Sequence, residues 1–338
     1  MPFRDIIGHR RLLELLRRSV AGGTLPPSLL LTGPSGIGKR LTALAVAQAL
    51  NCLEPGTRNP EPGSSPDACG VCAACTRIAR GVHPDVLIVE PGENGSIKID
   101  QVRDIVERAA YRPFEGRRRA VIIDEADALV PSAQSALLKT LEEPPPSSVF
   151  MLVTARPDVL LATVRSRCSQ LRFRPLAASD VAAALMARGH NESEARAIAA
   201  TADGSLGQAI AASAGDLVEA RAVAQRVLTE ASSAGDPGRR LEGAKELLAK
   251  TGGSADREQL ATHLRAMAVL LRDVEILAVR ADDRTLANPD LRSALERLAP
   301  AYRGERGVRA FAAIDRALVA LKRNVGVKLV ADWLVLQL

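Results

Sequence analysis

The stretch Gly33-Pro34-Ser35-Gly36-Ile37-Gly38-Lys39 limits what this chain can fold into more than any other. It follows Leu29-Leu30-Leu31, an apolar run that reads as a buried strand ending at Thr32. It precedes Leu41-Thr42-Ala43-Leu44-Ala45, which reads as a helix running to about Leu50. In that context the pattern G-x-x-x-x-G-K is a phosphate-cradling loop. Gly33, Gly36 and Gly38 let successive backbone N–H groups close around phosphate oxygens, the helix N-terminus adds its positive end, and Lys39 reaches the outer phosphates. The next position normally offers magnesium a Ser or Thr hydroxyl. Here it is Arg40, which cannot ligate a cation, so the loop has the form of a nucleotide site and lacks part of its chemistry.

A phosphate loop expects a second strand that ends in acids, and Ala120-Val121-Ile122-Ile123-Asp124-Glu125 supplies one. In such a pair the first carboxylate, Asp124, holds magnesium and the second, Glu125, orients an attacking water. A polar strand end that only caps the next element would carry the same acids. The loop in the same chain is what favours the nucleotide-site interpretation. Further strands are expected at Asp85–Glu90, Val149–Thr154 and Ser169–Phe173, with helices at Arg10–Val20, Ile97–Tyr111 and Pro131–Glu143 between them. Strands separated by helices imply an α/β unit, a parallel sheet covered on both faces.

Cys52, Cys69, Cys72 and Cys75 follow the pattern C-x16-C-x2-C-x2-C. Two C-x2-C pairs sharing a residue let three thiolates converge from one tight turn, and Cys52 can close a tetrahedron from the preceding helix end. Structural zinc is the expectation; inert loop cysteines or a disulfide are the alternatives. Four cysteines leave no open position for a substrate water, so the metal is a staple and not a catalyst. His83 reads as a loop or capping residue. Cys168 has no cysteine neighbours at ligand spacing and stays outside the set.

No uninterrupted apolar stretch reaches the ~18–20 residues of a membrane span, and the N-terminus shows no signal-peptide core. Both observations point to the cytoplasm. The net charge of +6 is compatible with a nucleic-acid partner, but aromatics at 2% speak against a base-stacking platform. The run Arg117-Arg118-Arg119 reads as a solvated turn, with DNA-phosphate contact as the alternative. From Pro175 onward strand-like runs vanish and Ala, Leu, Arg and Glu dominate, so an all-α region follows, broken once at Gly235-Asp236-Pro237-Gly238.

Taken together, these residues resemble the AAA+ clamp-loader subunits of bacterial replicases. The resemblance rests on Ile7-Gly8-His9, the phosphate loop, the four cysteines, Gly81-Val82-His83-Pro84-Asp85, Ile99-Asp100-Gln101-Val102-Arg103 and Ile123-Asp124-Glu125-Ala126-Asp127. Its most specific parts are Leu137-Leu138-Lys139-Thr140-Leu141-Glu142-Glu143-Pro144-Pro145 and Ser166-Arg167-Cys168. In the C-terminal third it rests only on helicity and on Leu321-Lys322-Arg323-Asn324. The resemblance implies an AAA+ domain over residues 1–174 with a parallel five-stranded sheet and a zinc module at 52–75, a small helical lid over 175–233, and a helical oligomerising collar over 234–338.

The resemblance also implies that Arg167 is an arginine finger reaching the γ-phosphate held by a neighbouring ATPase subunit; a surface arginine ending a helix is the plainer alternative. The implied partners are the tau or gamma ATPase subunits, the delta subunit, the sliding clamp and, through the assembly, primer-template DNA. Three departures weaken hydrolysis by the chain itself. Arg40 replaces the hydroxyl, Gly207 follows Gly204-Ser205-Leu206 where the family's second sensor is an arginine, and the first-sensor place falls on Ala155 beside Thr154. Lys39, Asp124 and Glu125 are retained, so phosphate or ATP binding stays open. The expectation is a subunit that donates a finger and does not hydrolyse. An active ATPase of the gamma or tau type would require Arg40 and Gly207 to be tolerated. A zinc-stabilised DNA-binding module would use the basic charge directly and would leave Ser166-Arg167-Cys168 unexplained.

Overall fold

The computed structural model describes residues 1–56, 66–92, 94–202, 204–211, 214–233, 236–248, 254–278, 286–322 and 325–338. The chain divides into two compact units, Met1–Leu176 and Ala177–Leu338.

The first unit is built on a parallel sheet of β1 (Ser28–Thr32), β2 (Val86–Val89), β3 (Arg119–Ile123), β4 (Ser148–Thr154) and β5 (Ser169–Arg172), in the order β2-β3-β4-β1-β5. Side chains alternate across a strand, so an unbroken apolar run such as Leu29-Leu30-Leu31 is stable only if both faces are covered. Leu29 and Leu31 lie in one core with Val46 and Met151, whereas Leu30 lies in another with Val121, Phe150 and Leu152. Helices α1 (Arg10–Ala21) and α2 (Lys39–Asn51) contribute Leu13, Leu16 and Val46 to the first core. Helices α4 (Ile99–Ala110) and α5 (Pro131–Glu142) contribute Val102, Ile105, Leu137 and Leu141 to the second. Among the described residues the unit also has the short α-helices α3 (Ala73–Ala79) and α6 (Ala162–Arg165).

The expected strands and long helices fall where periodicity places them, within a residue or two at the ends. α3 is an addition. Its seven residues lie in the cysteine segment, which reads as a turn because its spacing is set by thiols and not by an apolar face.

Among the described residues the second unit is helical throughout. Helices α7 (Ala178–Met186), α8 (Glu192–Thr201) and α9 (Leu206–Ala211) are followed by α10 (Ala214–Ser233), α11 (Pro237–Glu246), α12 (Ser254–Ala278), α13 (Arg292–Tyr302), α14 (Glu305–Lys322) and α15 (Val327–Gln337). Leu228, Leu264, Met267, Leu270, Ile314 and Leu334 are among the residues of one core shared by the last six helices. The Tyr302 hydroxyl, buried there, donates to Leu228 O at 2.9 Å, so its polar end is satisfied. Gly235 of the expected break, Arg323 and Asn324 of the Leu321–Asn324 segment, and positions 57–65 between Cys52 and Cys69 lie outside the described residues. No described helix is long and apolar enough to cross a membrane.

Candidate functional site

The phosphate loop leaves the C-terminal end of β1 and enters α2, as the alternation of strand and helix requires. Its glycines adopt left-handed conformations, with φ of 142° at Gly33, 73° at Gly36 and 100° at Gly38. At Gly33 a Cβ would lie 2.3 Å from Phe173 O, so only glycine permits both the angle and the close approach. His9, itself at φ 51°, closes the loop from outside. Its Nε2 lies 3.0 Å from Ile37 O, and its ring packs edge-on against Phe173 at 4.8 Å. The Gly8-His9 pair carries no chemistry in the sequence pattern; the fold uses it to support the loop.

Lys39 is buried, and its Nζ donates to Gly33 O at 2.7 Å and Pro34 O at 2.6 Å. Burial pulls its pKa down to about 8, against the opposing attraction of Asp124 and Asp127. Arg40, the next residue, turns to the acids. Its Nη1 donates to Asp124 Oδ2 at 2.9 Å and also meets Glu90 Oε1. β2 and β3 pair in register as far as Val89 and Ile123, which sets Glu90 beside Asp124. Glu90 belongs to the site and has no signal in the motif; the pairing of two parallel strand ends is what reveals it. Glu125, at φ 47°, donates its N–H to Asp124 Oδ1 at 3.0 Å.

Thr154, beside Ala155 at the end of β4, is engaged within the chain. The Thr154 hydroxyl donates to Asp127 Oδ1 at 2.7 Å, and Arg156 Nε donates to Asp127 Oδ2 at 2.8 Å. Burial works against ionisation of Asp127, but these two donors outweigh it and hold the carboxyl below its usual range. Gly207 lies in α9 of the second unit.

Arg167 lies in the turn between α6 and β5. Its Nε and Nη2 donate to Glu142 Oε2 at 3.2 and 3.1 Å, and its Nη1 to Thr163 O at 3.0 Å. Register places it relative to the chain's own loop. Leu29 pairs with Ser169 and Thr32 with Arg172, so Arg167 sits beyond the N-terminal end of β5, whereas the loop leaves the opposite end of β1. Three strand steps of about 3.3 Å already separate the two by roughly 10 Å. Arg167 is therefore on the wrong side of its own sheet to serve its own loop. Cys168 beside it is buried in the core, with its thiol pushed up to about 11 by burial, and takes no part in the cysteine cluster.

Cys52 follows α2, Cys69 and Cys72 lie on the next described segment, and Cys75 is in the first turn of α3. Their sulfurs lie within 4.8 Å of one another, and the Cys69 and Cys72 N–H groups donate to Cys52 Sγ at 3.2 Å and Cys69 Sγ at 3.3 Å. Backbone N–H groups aimed at sulfur stabilise thiolate, which is the state a metal needs. Burial pushes the Cys52 and Cys75 thiols up. At Cys72 burial acts the same way but hydrogen bonds outweigh it, and the thiol falls to about 7. Four soft donors around one point fit a tetrahedral metal ion. The cluster is tied to the rest of the unit by Arg4, which donates to Ala68 O and Cys69 O at 2.9 Å each, and by Gln48, which donates to Cys75 O at 2.8 Å. His83 stands apart from the clustered ligand atoms: its Nδ1 accepts the Asp85 N–H at 3.1 Å.

The arginine run differs from the expected solvated turn. Arg119 is buried and its Nη2 donates to Asp85 Oδ1 at 2.9 Å, while Arg117 donates to Leu50 O at 3.0 Å and Cys52 O at 2.8 Å. The Asp85 carboxylate also accepts the N–H groups of Phe114, Glu115 and Gly116. A charge run looks solvated in sequence, but a buried acid on an adjacent strand end turns it inward.

A family model described as DNA polymerase III, delta subunit, matches residues 8–177. Over 142 residues the chain is 42% identical to the DNA polymerase III subunit delta' of Pseudomonas aeruginosa, covering 42% of this chain and 41% of that one. Over 174 residues it is 33% identical to the subunit gamma/tau of Mycobacterium tuberculosis, covering 52% of this chain and 29% of that one. The chain thus spans less than half the length of these curated relatives. A solved gamma-subunit-related protein of Thermotoga maritima is 17% identical, with 96% of this chain and 97% of that chain covered and a TM-score of 0.41.

Proposed function

The chain belongs to the DNA polymerase III delta-subunit family, as a clamp-loader protein of the delta-prime type, and we propose that it works there as a finger donor that does not hydrolyse ATP itself. The observation that carries this is the position of Arg167. It is solvent-accessible, held by surface groups, and set at the sheet end opposite its own phosphate loop. A guanidinium so placed can reach only a phosphate brought by another subunit. There it stabilises charge developing on the γ-phosphate, an effect worth ~10³–10⁵ in rate in related phosphoryl-transfer systems.

The partners are then tau- or gamma-type ATPase subunits and a delta subunit, held through the C-terminal helices acting as a collar, with residues 175–233 as the lid. Hydrolysis in the neighbouring subunit drives loading of a sliding clamp onto primer-template DNA in the cytoplasm. The chain's own loop is a degenerate site: Gly33, Gly36, Gly38 and Lys39 keep its form, but Arg40 takes up Asp124. Zinc held by Cys52, Cys69, Cys72 and Cys75 would brace the segment after α2, supplying four strong bonds and no open coordination position. Direct DNA binding through the arginine run loses support, because Arg117 and Arg119 are spent inside the unit.

The test is steady-state ATP hydrolysis by the purified chain, alone and within the reconstituted loader. No turnover alone, with loading lost but assembly retained on Arg167→Ala, is the expected result. Turnover by the chain alone that Lys39→Ala abolishes would make it a motor subunit of the gamma or tau type. Unchanged loading by Arg167→Ala would remove the finger.

A further inference from the structure

A complete phosphate loop holds magnesium between the residue after its lysine and a carboxylate at the end of another strand of the same sheet. In this chain those two positions are Arg40 and Asp124, and they bind each other. Arg40 Nη1 donates to Asp124 Oδ2 at 2.9 Å and also meets Glu90 Oε1. The other oxygen of Asp124 accepts the Glu125 N–H at 3.0 Å. Both carboxylate oxygens are therefore engaged, and the Asp124 side chain is only 13% exposed. A divalent ion here would have to displace a guanidinium whose charge cannot be titrated away and then sit beside it. Magnesium also requires near-octahedral oxygen ligands and gives up its waters reluctantly. The residues present do not fit it.

We propose that the Arg40 guanidinium is this site's own counter-cation: it stands at Asp124 and Glu90 in place of a divalent metal, and the loop takes the polyphosphate chain of a nucleoside di- or triphosphate without one. The contacts to the acids use Nη1 alone. Nε and Nη2 have no protein partner among the described residues, and the side chain is 47% exposed, so a planar pair of donors is left for phosphate oxygens. Lys39, now bonded to the loop carbonyls Gly33 O and Pro34 O, supplies the second positive group once phosphate displaces those contacts. The cation is thereby covalently fixed and present whether or not nucleotide is bound.

This rests on the loop being a nucleotide site, and its test reads metal and ligand binding, not turnover or clamp loading. The zinc-loaded full chain is titrated with Mn²⁺ and free ion is followed by electron paramagnetic resonance. Wild type should retain no Mn²⁺ at the loop. Arg40→Thr, which restores a hydroxyl, should gain a site at least about ten-fold tighter than wild type, and Asp124→Asn added to it should abolish the gain. Arg40→Lys, which keeps a positive charge and guards against a folding artefact, should gain none. In calorimetry, ATP affinity of the wild type should agree within about two-fold between EDTA and Mg²⁺ buffers, whereas Arg40→Thr should depend on the metal by at least about ten-fold. Wild-type Mn²⁺ retention equal to that of Arg40→Thr, or wild-type ATP binding that collapses in EDTA, overturns the proposal. Absence of ATP binding in both buffers overturns its phosphate part and leaves the Arg167 test untouched.

Discussion

Arg167 is held in place by one oxygen of Glu142, which accepts from both Nε and Nη2, at 3.2 and 3.1 Å. The carboxylate is 60% exposed and the guanidinium 31%. An exposed pair of this kind contributes about 0–1 kcal/mol, because water screens it and two side chains must be ordered to form it. On the proposed reading, a partner's phosphate, with more charge and three acceptor oxygens, would displace such a carboxylate. Glu142 thus orients the Arg167 guanidinium without fixing it, as the proposed finger role requires.

Glu142→Gln should therefore change stability by no more than about 1 kcal/mol. ATP hydrolysis by the reconstituted loader should stay within about two-fold of wild type, while Arg167→Ala lowers it by at least about a hundred-fold. Denaturant melts and a coupled phosphate-release assay measure the two effects. A fall in Glu142→Gln as large as in Arg167→Ala would show that the carboxylate has a task of its own beyond holding the finger.

Asp85 is a fully buried acid that ties three backbone N–H groups and Arg119 together. Burial acts to raise its pKa, but three backbone N–H groups and Arg119 outweigh it and hold the carboxyl at about 2. The folded pKa lies below the unfolded value, so the stabilisation is complete above about 4 and is lost as pH falls toward 2. Asp85→Asn should cost roughly 3–5 kcal/mol at neutral pH, the range for breaking a buried pair and stranding its partner, here Arg119. It should also flatten the acid limb of stability between about pH 4 and 2. Urea unfolding across that range tests both expectations, and an unchanged acid limb would assign it to other carboxylates.

Asp85 also shows where sequence reasoning stops. The sheet was legible because parallel strands buried on both faces leave unbroken apolar runs, and Leu29–Leu31 and Val121–Ile123 are such runs. The phosphate loop was legible because glycines at fixed spacing have one main use between a strand and a helix. The cysteine set was legible from its spacing for the same reason. What stayed hidden depends on which strands lie side by side. Glu90 joins Arg40 only because β2 pairs with β3, and Arg119 turns inward only because Asp85 sits at the start of the neighbouring strand. Chain order does not fix the order β2-β3-β4-β1-β5, so neither pairing could be read beforehand.

The cysteine cluster is coupled to the N-terminus. Asp67 accepts the N–H groups of Phe3 and Arg4, and the Arg4 guanidinium holds the carbonyls of Ala68 and Cys69. These contacts orient Cys69 from behind, in the manner of the outer partners that tune a metal site. Arg4→Ala should speed zinc release to a chromogenic chelator by about ten-fold or more while leaving the four ligands intact. Cys75→Ser should lower zinc content and melting temperature together. Equal release rates for wild type and Arg4→Ala would mean that the thiols hold their geometry unaided.

Lys39 gives the opposite pH signature to Asp85. Its burial under the loop lowers the pKa to about 8, although Asp124 and Asp127 pull it upward. The unfolded value is near 10.4, so below about pH 8 both states carry the proton and the cost of burying the charge is fully present. Between about 8 and 10.4 the unfolded chain keeps a proton that the folded chain has lost, and stability contributed by this group rises with pH. Lys39→Met has no such group. The stability of wild type relative to Lys39→Met should therefore climb from pH 8 to 10 in urea unfolding and be level below 8. Polyphosphate works in the other direction: anionic oxygens at the loop favour charged Lys39, so ATP binding at pH 9 should take up a proton from the buffer. Calorimetry in buffers of different ionisation enthalpy measures that uptake. A level stability difference across the range would show that Lys39 remains charged when folded, held by Gly33 O and Pro34 O, and then no proton should accompany binding.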